Sequence, residues 1–415
     1  IRRQRQMCIR DRYITGAFLA VISLFSSCTN LDEEIFSSIP EKDFYKTESE
    51  FLAAMVPIYS SMRTLTEHSN WWDLEETTDV CVTPVKNHGL WYDGGIYIRL
   101  HQHSWMEEDA HLNNIWNALY SGVSSANRVL YQFENSTIEM NGKENYIAEL
   151  KVARAFYYYL LLEAFGNVPI IDRFDVPDGY LPATEPRSKV FEFVESELKN
   201  NINNLSEDVL NTYGRFNKWN AKMLLARLYL NAEAWIGTPM YNECENLCNE
   251  IIATNKYRLD GDYSLPFSTN NELSNETMFV IPFDETKSGG QIYMWARKTL
   301  HYSQMQTFNL QATWLDGGCV GVPTFFDNYI EGDKRLEKTW RMGQQYALDG
   351  TPLWTNGWCG DPQMLLSYTK DVTNISGDAT MYQGYRFGKY EIKIGATGTP
   401  DNDYVIMRYA EVLMT

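Results

Sequence analysis

The stretch Glu149–Pro169, ELKVARAFYYYLLLEAFGNVP, decides the fold. Leu150, Ala153, Tyr157, Leu161 and Ala164 recur at helical spacing, and Val152, Phe156, Leu160 and Phe165 fill much of the remaining circumference. A helix apolar on most sides is buried on most sides. Gly166 follows the last apolar turn and can take the left-handed conformation that closes a helix, and Pro169 cannot extend one. Only Lys151, Arg154 and Glu163 carry charge within its body, and an arginine in such company requires a carboxylate partner. The stretch therefore predicts a central packing helix.

Outward from it, composition bounds the problem. With 415 residues, 44% hydrophobic and 14% aromatic, the chain is long enough for one large core or two smaller ones. A net charge of −18 argues against nucleic acid, whose binding relies on neutralising phosphates with lysine and arginine. The wording ARAFYYYLLLEAFGNVPI, with Glu149 five residues ahead of Arg154, is more specific than packing requires. It resembles the signature helix of the SusD/RagB family of outer-membrane nutrient-binding lipoproteins.

Residues 1–12, IRRQRQMCIRDR, are basic and aperiodic and read as a foreign leader outside the fold. Tyr13–Phe25 is an apolar run too short to span a bilayer but suited to a signal-peptide core, so residues 13–27 read as a lipoprotein signal peptide. It ends at Leu24-Phe25-Ser26-Ser27-Cys28, which looks like a bacterial lipobox and makes Cys28 the lipidation site. The acidic tether that follows, Thr29 to Glu34, resembles a surface-export signal, and no later apolar stretch is long enough for a membrane helix. Of the other cysteines, Cys244 and Cys248 lie one helical turn apart and suit core packing. Cys81, Cys319 and Cys359 stand alone, so neither a disulfide framework nor a structural metal is indicated.

Ser49–Leu65 carries a helical stripe of Phe51, Leu52, Met55, Ile58, Tyr59 and Met62. A loop-rich region, 66–108, follows with Trp71, Trp72, Trp91, Tyr92 and Trp105. Helices return with IWNALYSGVSSANRVLYQF, the signature helix, VFEFVESELKNNINNL, NKWNAKMLLARLYLNAEAW and YNECENLCNEII. The ARAFYY and ARLYLN segments begin 73 residues apart, about two tetratricopeptide periods plus a short insertion. The expected fold is mainly α: a tetratricopeptide-like helix-pair scaffold, an α/α superhelix of four pairs, over residues 28–255. A loop-rich, minor-β ligand-binding subdomain occupies 256–415. VIMRYAEVLMT resembles the opening of the family's next scaffold helix, which implies a truncated C-terminus and an incomplete last pair.

Neutral glycans present CH faces and hydroxyls, so a site for them needs aromatic rings and a few amide or carboxylate groups. Loop aromatics are the candidates: Trp71, Trp72, Trp91 and Tyr92 in the first loop region, Tyr293, Trp295, Trp314, Trp354 and Trp358 in the second. Each either stacks on ligand or plugs the space between loops and scaffold, whereas Trp105 and Trp219 lie in more regular stretches and read as core. The resemblance implies Asp79 as the hydrogen-bonding carboxylate, Lys86 or Asn87 as its companion donor, and Trp91 and Trp314 as stacking platforms. His101-x-His103 lacks a third metal ligand, and the acidic turns Asp260-Gly-Asp262 and Asp401-Asn-Asp403 lack the spacing of a calcium loop, so they read as solvated turns.

No HExxH, GxSxG, phosphate-binding or dinucleotide fingerprint is present, and abundant carboxylates single out no glycosidase pair. The resemblance implies a non-catalytic, lipid-anchored outer-membrane surface protein without cofactor. Such a protein captures oligosaccharide or polysaccharide and hands it to a TonB-dependent, SusC-like transporter. A peptide-capturing RagB-like member of the same fold and a glycoside hydrolase are the alternatives.

Overall fold

Apolar residues at helical spacing fold here into a mainly helical chain. The computed structural model describes residues 45–67, 70–177, 179–287, 294–311, 315–357, 360–375, 379–397 and 401–415, without the side chains of Trp72, Met294 and Trp295. Phe51–Thr415 form one compact unit; Ile1–Glu50 form another, of which residues 45–50 are described.

The principal helices are α1 Glu48–Ser60, α2 Ile96–His101, α3 Ala110–Asn135, α4 Lys143–Phe165, α5 Arg187–Asn201, α6 Lys218–Leu230, α7 Ala232–Ile236 and α8 Tyr241–Ala253. Beyond residue 256 the described helices are short: α9 Met294–Thr299, α10 Met305–Phe308, α11 Lys334–Thr339 and α12 Tyr409–Met414. The stripe expected to continue to Leu65 is helical only to Ser60, with Pro57 inside its last turn, and then tightens into a 3-10 segment, Ser61–Thr66.

The signature helix is α4, and it starts six residues before Glu149, directly after left-handed Gly142. From Ala148 to Leu162 every residue but Lys151 is buried. Each of its large apolar side chains stabilises the fold by roughly 1.5–3 kcal/mol on burial. Gly166 closes the helix as expected, with φ +72° and its N–H donating to Leu162 O at 3.1 Å. α3 packs on α4, α4 on α5, α5 on α6 and α6 on α8. The α3–α4 seam is tight because residue 122 is glycine: a Cβ there would lie 2.2 Å from the Tyr157 ring.

The predicted carboxylate for Arg154 is Glu197 of α5, bound through Nε at 3.0 Å and Nη2 at 2.6 Å. Glu149 does not serve Arg154. Its carboxylate takes Arg215 in a two-pronged pair at 2.9 and 2.6 Å and the Tyr59 hydroxyl at 2.5 Å, clipping α1, α4 and the approach to α6 together. α6 opens with a reciprocal cap: Asn217 accepts from Trp219 and Asn220 N–H groups, and Asn220 accepts from Asn217 N–H at 2.8 Å.

The strands are short antiparallel pairs. In chain order they are β1 Cys81–Val82, β2 Val168–Pro169, β3 Thr184–Glu185, β4 Thr277–Ile281, β5 Val320–Gly321, β6 Trp340–Arg341, β7 Gly343–Gln344, β8 Ser367–Tyr368, β9 Arg386–Phe387 and β10 Tyr404–Arg408. They pair as β1 with β5, β2 with β3, β4 with β10, β6 with β9 and β7 with β8. The longest pair, β4 with β10, lies on the helices through Phe279, whose ring stacks on Phe216 at 4.4 Å and meets Phe156 edge-on at 5.6 Å.

Candidate functional site

The loop after β1 is held in a conformation most residues avoid. Asn87, His88, Trp91 and Asp93 have φ of +41°, +62°, +64° and +39°, and Gly89, Gly94 and Gly95 are also left-handed. Asparagine, histidine and aspartate visit this region more readily than most side chains, but a tryptophan there is an outlier. Each such non-glycine residue costs roughly 1–2 kcal/mol, so the surrounding contacts must impose the shape.

Those contacts come from the second loop region, more than two hundred residues away. Lys86 and Leu90 exchange backbone hydrogen bonds at 2.8 Å, and Asn87 N–H donates to Ala379 O at 3.0 Å. The Trp91 indole N–H donates to Asp316 O at 3.0 Å, while its ring lies so close to Gly318 that a Cβ there would approach within 2.5 Å. Asn87 donates its amide to Asp361 Oδ1 at 2.9 Å. Asp316 in turn accepts from Arg297 at 2.7 Å. The open aromatic ring at the crest is Tyr92, 53% exposed, with its ring over Gly95; His88 and Asp93 beside it are also exposed.

Lys86 is a correction to the sequence reading. Expected to offer its ammonium to a ligand, it is fully buried and donates to Gly317 O at 2.5 Å. Arg386, also buried, donates to the same carbonyl at 3.1 Å. Burial and then the neighbouring Arg386 guanidinium hold the Lys86 ammonium well below the usual lysine range. Its reach across 231 residues has no signal in the sequence.

The other expected residues divide. Asn87, Trp91 and Tyr92 come together; Trp91 is half-buried and largely occupied by protein, so the more open ring is its neighbour's. Trp71 lies elsewhere, in a groove of about 710 Å³ that also meets Trp105, Tyr159, Glu163, Arg227 and Glu411. Asp79 is exposed, one residue beyond Thr78 of that groove's lining. Trp105, expected in the core, is 47% exposed, whereas Trp219 is buried as expected. Cys28, Tyr293, Trp314, Trp358 and Cys359 lie outside the described residues, as do the side chains of Trp72 and Trp295. Trp354, in the second loop set, is 45% exposed.

Beneath the loop is an ionic cluster that sequence reading missed. Lys298 of α9 donates to Asp73 at 2.6 Å and to Glu76, and Asp73 contacts His111 Nε2 at 2.9 Å, all within the protein interior. Burial opposes the Lys298 charge, but the two carboxylates outweigh it and raise its pKa above the usual lysine range. The cluster ties the 3-10 segment Trp71–Thr77 to α9 and α3.

His101 ends α2, so it and His103 do not share a strand face; His103 Nε2 instead contacts Thr77 O at 2.7 Å. Among the described residues no three His, Cys, Asp or Glu side chains converge as a metal set, and no helix is long and apolar enough to cross a membrane. The Asp401–Asp403 turn is not simply solvated: Asp403 is buried, bound to the Tyr213 hydroxyl and to Phe283 N–H at 2.8 Å.

Comparison with known proteins bears on the fold and on what the chain resembles. The family model for SusD-like proteins, described as starch-binding and associating with the outer membrane, matches residues 32–230. A SusD-like protein of Bacteroides ovatus is 27% identical over 218 residues, 51% of this chain and 38% of that protein. The starch-binding protein SusD of Bacteroides thetaiotaomicron is 25% identical over 227 residues, covering 53% of this chain and 39% of its own length. The matched part thus spans well under half of either relative. The crystal structure of a SusD superfamily protein from Parabacteroides distasonis superposes with a TM-score of 0.68 at 20% identity, over 91% of this chain and 75% of that one. With the signature helix, the stacked helices and the short-stranded loop region all in place, the chain is similar in sequence to SusD-like proteins over residues 32–230 and shares the fold of the SusD superfamily structure.

Proposed function

We propose that this protein captures oligosaccharide at the outer-membrane surface, anchored through lipid on Cys28, and passes it without cleavage to a TonB-dependent, SusC-like transporter. The observation that carries the reading is the strained 87–95 loop, wedged against residues 316–318 and 361 and presenting Tyr92 to solvent. A rigid, exposed ring costs little entropy on binding and offers a flat face to sugar CH groups. We assign the stacking role to Tyr92, with Trp91 as its buried support. Trp314, two residues before Asp316 in sequence, Trp295 and Tyr293 remain the proposed contributions of the second loop. Asn87, already bonded to Asp361, positions the loop; Asp79, Trp71 and Trp72 are proposed as outlying contacts.

The family description and the name of the Bacteroides thetaiotaomicron relative support carbohydrate as the ligand class. The test is calorimetry of the chain from residue 29 against a polysaccharide panel, with reducing-end release measured in the same samples. Binding without release is the expected result. Release would make the protein a hydrolase, and silence across the panel with binding of extended peptides would make it a peptide-capture protein.

A further inference from the structure

Three backbone segments of the loop region meet in a closed ring of hydrogen bonds: Gln345 N–H donates to Leu366 O at 2.9 Å, Leu366 N–H to Leu353 O at 2.8 Å, and Leu353 N–H to Gln345 O at 2.9 Å. Each pair of segments continues outward as a short antiparallel arm. Gln344 faces Ser367 in the first arm, Tyr346 faces Pro352 in the second, and Trp354 faces Leu365 in the third. Gln345, Leu353 and Leu366 are buried, so by the pleat their neighbours in sequence point the other way. Tyr346, Trp354 and Leu365 are accordingly 49%, 45% and 43% exposed, and share one outward face with Pro352, Gln344 and Ser367.

That face is neutral and firmly backed. Although 22% of the chain is charged, none of these side chains carries charge. Beneath them the buried Gln345 amide donates to Met342 O at 3.0 Å and Gly343 O at 2.8 Å and accepts from Gln304 at 3.0 Å, so its polar atoms are satisfied inside the protein. Ser303 Oγ donates to Trp354 O at 2.6 Å. Gln344 lies across the junction, its amide nitrogen donating to Gln345 O at 2.7 Å and Leu353 O at 3.3 Å, and offers its amide oxygen to a hydroxyl donor.

We propose that this face is a second carbohydrate platform, distinct from the Tyr92 ring, on which Trp354 and Tyr346 stack against the CH faces of an uncharged sugar chain while Gln344 accepts from one of its hydroxyls. The proposal rests on the reading of the protein as one that captures oligosaccharide. Rings fixed on a hydrogen-bonded frame lose little freedom on binding, and a charged ligand finds no counter-charge here. A protein partner is a poorer fit, because stable interfaces use about 20–30 residues a side, far more than this face presents. The frame is also continuous with the crest: the third arm leads on to Asp361, whose carboxylate accepts from the Asn87 amide at 2.9 Å.

The test is electrophoresis of the full chain in native gels holding soluble starch, laminarin, xylan or galactomannan, with retardation as the measure of affinity and urea denaturation run on the same proteins. In whichever gel retards the wild type, Trp354→Ala and Tyr346→Ala should each lose about five- to thirty-fold in affinity, and Trp354→Phe should stay close to the wild type, all with an unchanged urea midpoint. Tyr92→Ala should keep a residual retardation that adding Trp354→Ala removes. Full retardation of both Trp354→Ala and Tyr346→Ala would overturn the platform and leave the capture reading standing, whereas no retardation of the wild type in any gel would overturn both. A fall in the urea midpoint that accompanies the loss of binding would overturn the platform by making the rings structural. Unchanged retardation with loss of a co-purifying outer-membrane protein would make the face a protein contact instead.

Discussion

Arg154 and Arg227 occupy the same place in two helices whose Ala-Arg motifs begin 73 residues apart, and each binds a carboxylate and a backbone carbonyl. Arg154 takes Glu197, 43 residues on, and Asp172 O. Arg227 takes Glu411, 184 residues on, and Ile406 O at 2.6 Å. The chemistry is repeated while the spacing is not. Residues 256–403 therefore act as an insertion between one helix pair and the helix that completes its ionic clasp. The first clasp closes inside the scaffold; the second closes only after the loop region has folded.

That difference predicts unequal consequences. Arg154→Ala leaves Glu197 nearly buried, its side chain 14% exposed and its carboxyl already raised by burial, so global unfolding should become easier by about 3–5 kcal/mol. Urea denaturation measures this directly. A loss below about 1 kcal/mol would show that the scaffold clasp is not what the geometry implies.

Next in size is a pH effect at the seam between helices and loops. Burial, outweighing its hydrogen bonds from Tyr213 and Phe283, pushes the Asp403 carboxyl up to about 6. The unfolded chain releases that proton near pH 3.9, so the folded state alone holds it over the interval. Its contribution to stability is complete below about pH 4 and is lost as pH rises to about 6, a fall of roughly 3 kcal/mol. Asp403→Asn should flatten that part of the stability profile, and an unchanged slope would place the titration elsewhere.

Arg227→Ala should cost less, about 1–3 kcal/mol, because Glu411 is already 25% exposed at the side chain. Its signature should be faster hydrogen exchange confined to residues 404–414. Equal global losses at Arg154 and Arg227 would break the comparison.

How much of this was legible follows from distance along the chain. α4 was readable because its apolar residues and Gly166 are neighbours, and even the need for a carboxylate at Arg154 could be stated from local composition. The identity of that carboxylate depends on how α4 meets α5, and the burial of Lys86 on Gly317 on contacts made by β1, β5 and the 315–318 segment after folding. Trp105 misled for a related reason. Its surroundings looked regular, yet it belongs to the turn after α2 and faces the groove. Tyr92 was found among the loop aromatics, but its prominence over Trp91 rests on backbone angles that residue types alone did not reveal.

The most direct measurement compares Tyr92→Ala with Trp105→Ala in calorimetric titration against whichever glycan the wild type binds. Both residues are exposed aromatics of the first loop region, one on the strained crest and one in the groove. The account predicts that Tyr92→Ala weakens binding by about 1–2 kcal/mol, from lost ring contact, while Trp105→Ala leaves it unchanged. The reverse result would contradict it and move the site to the groove.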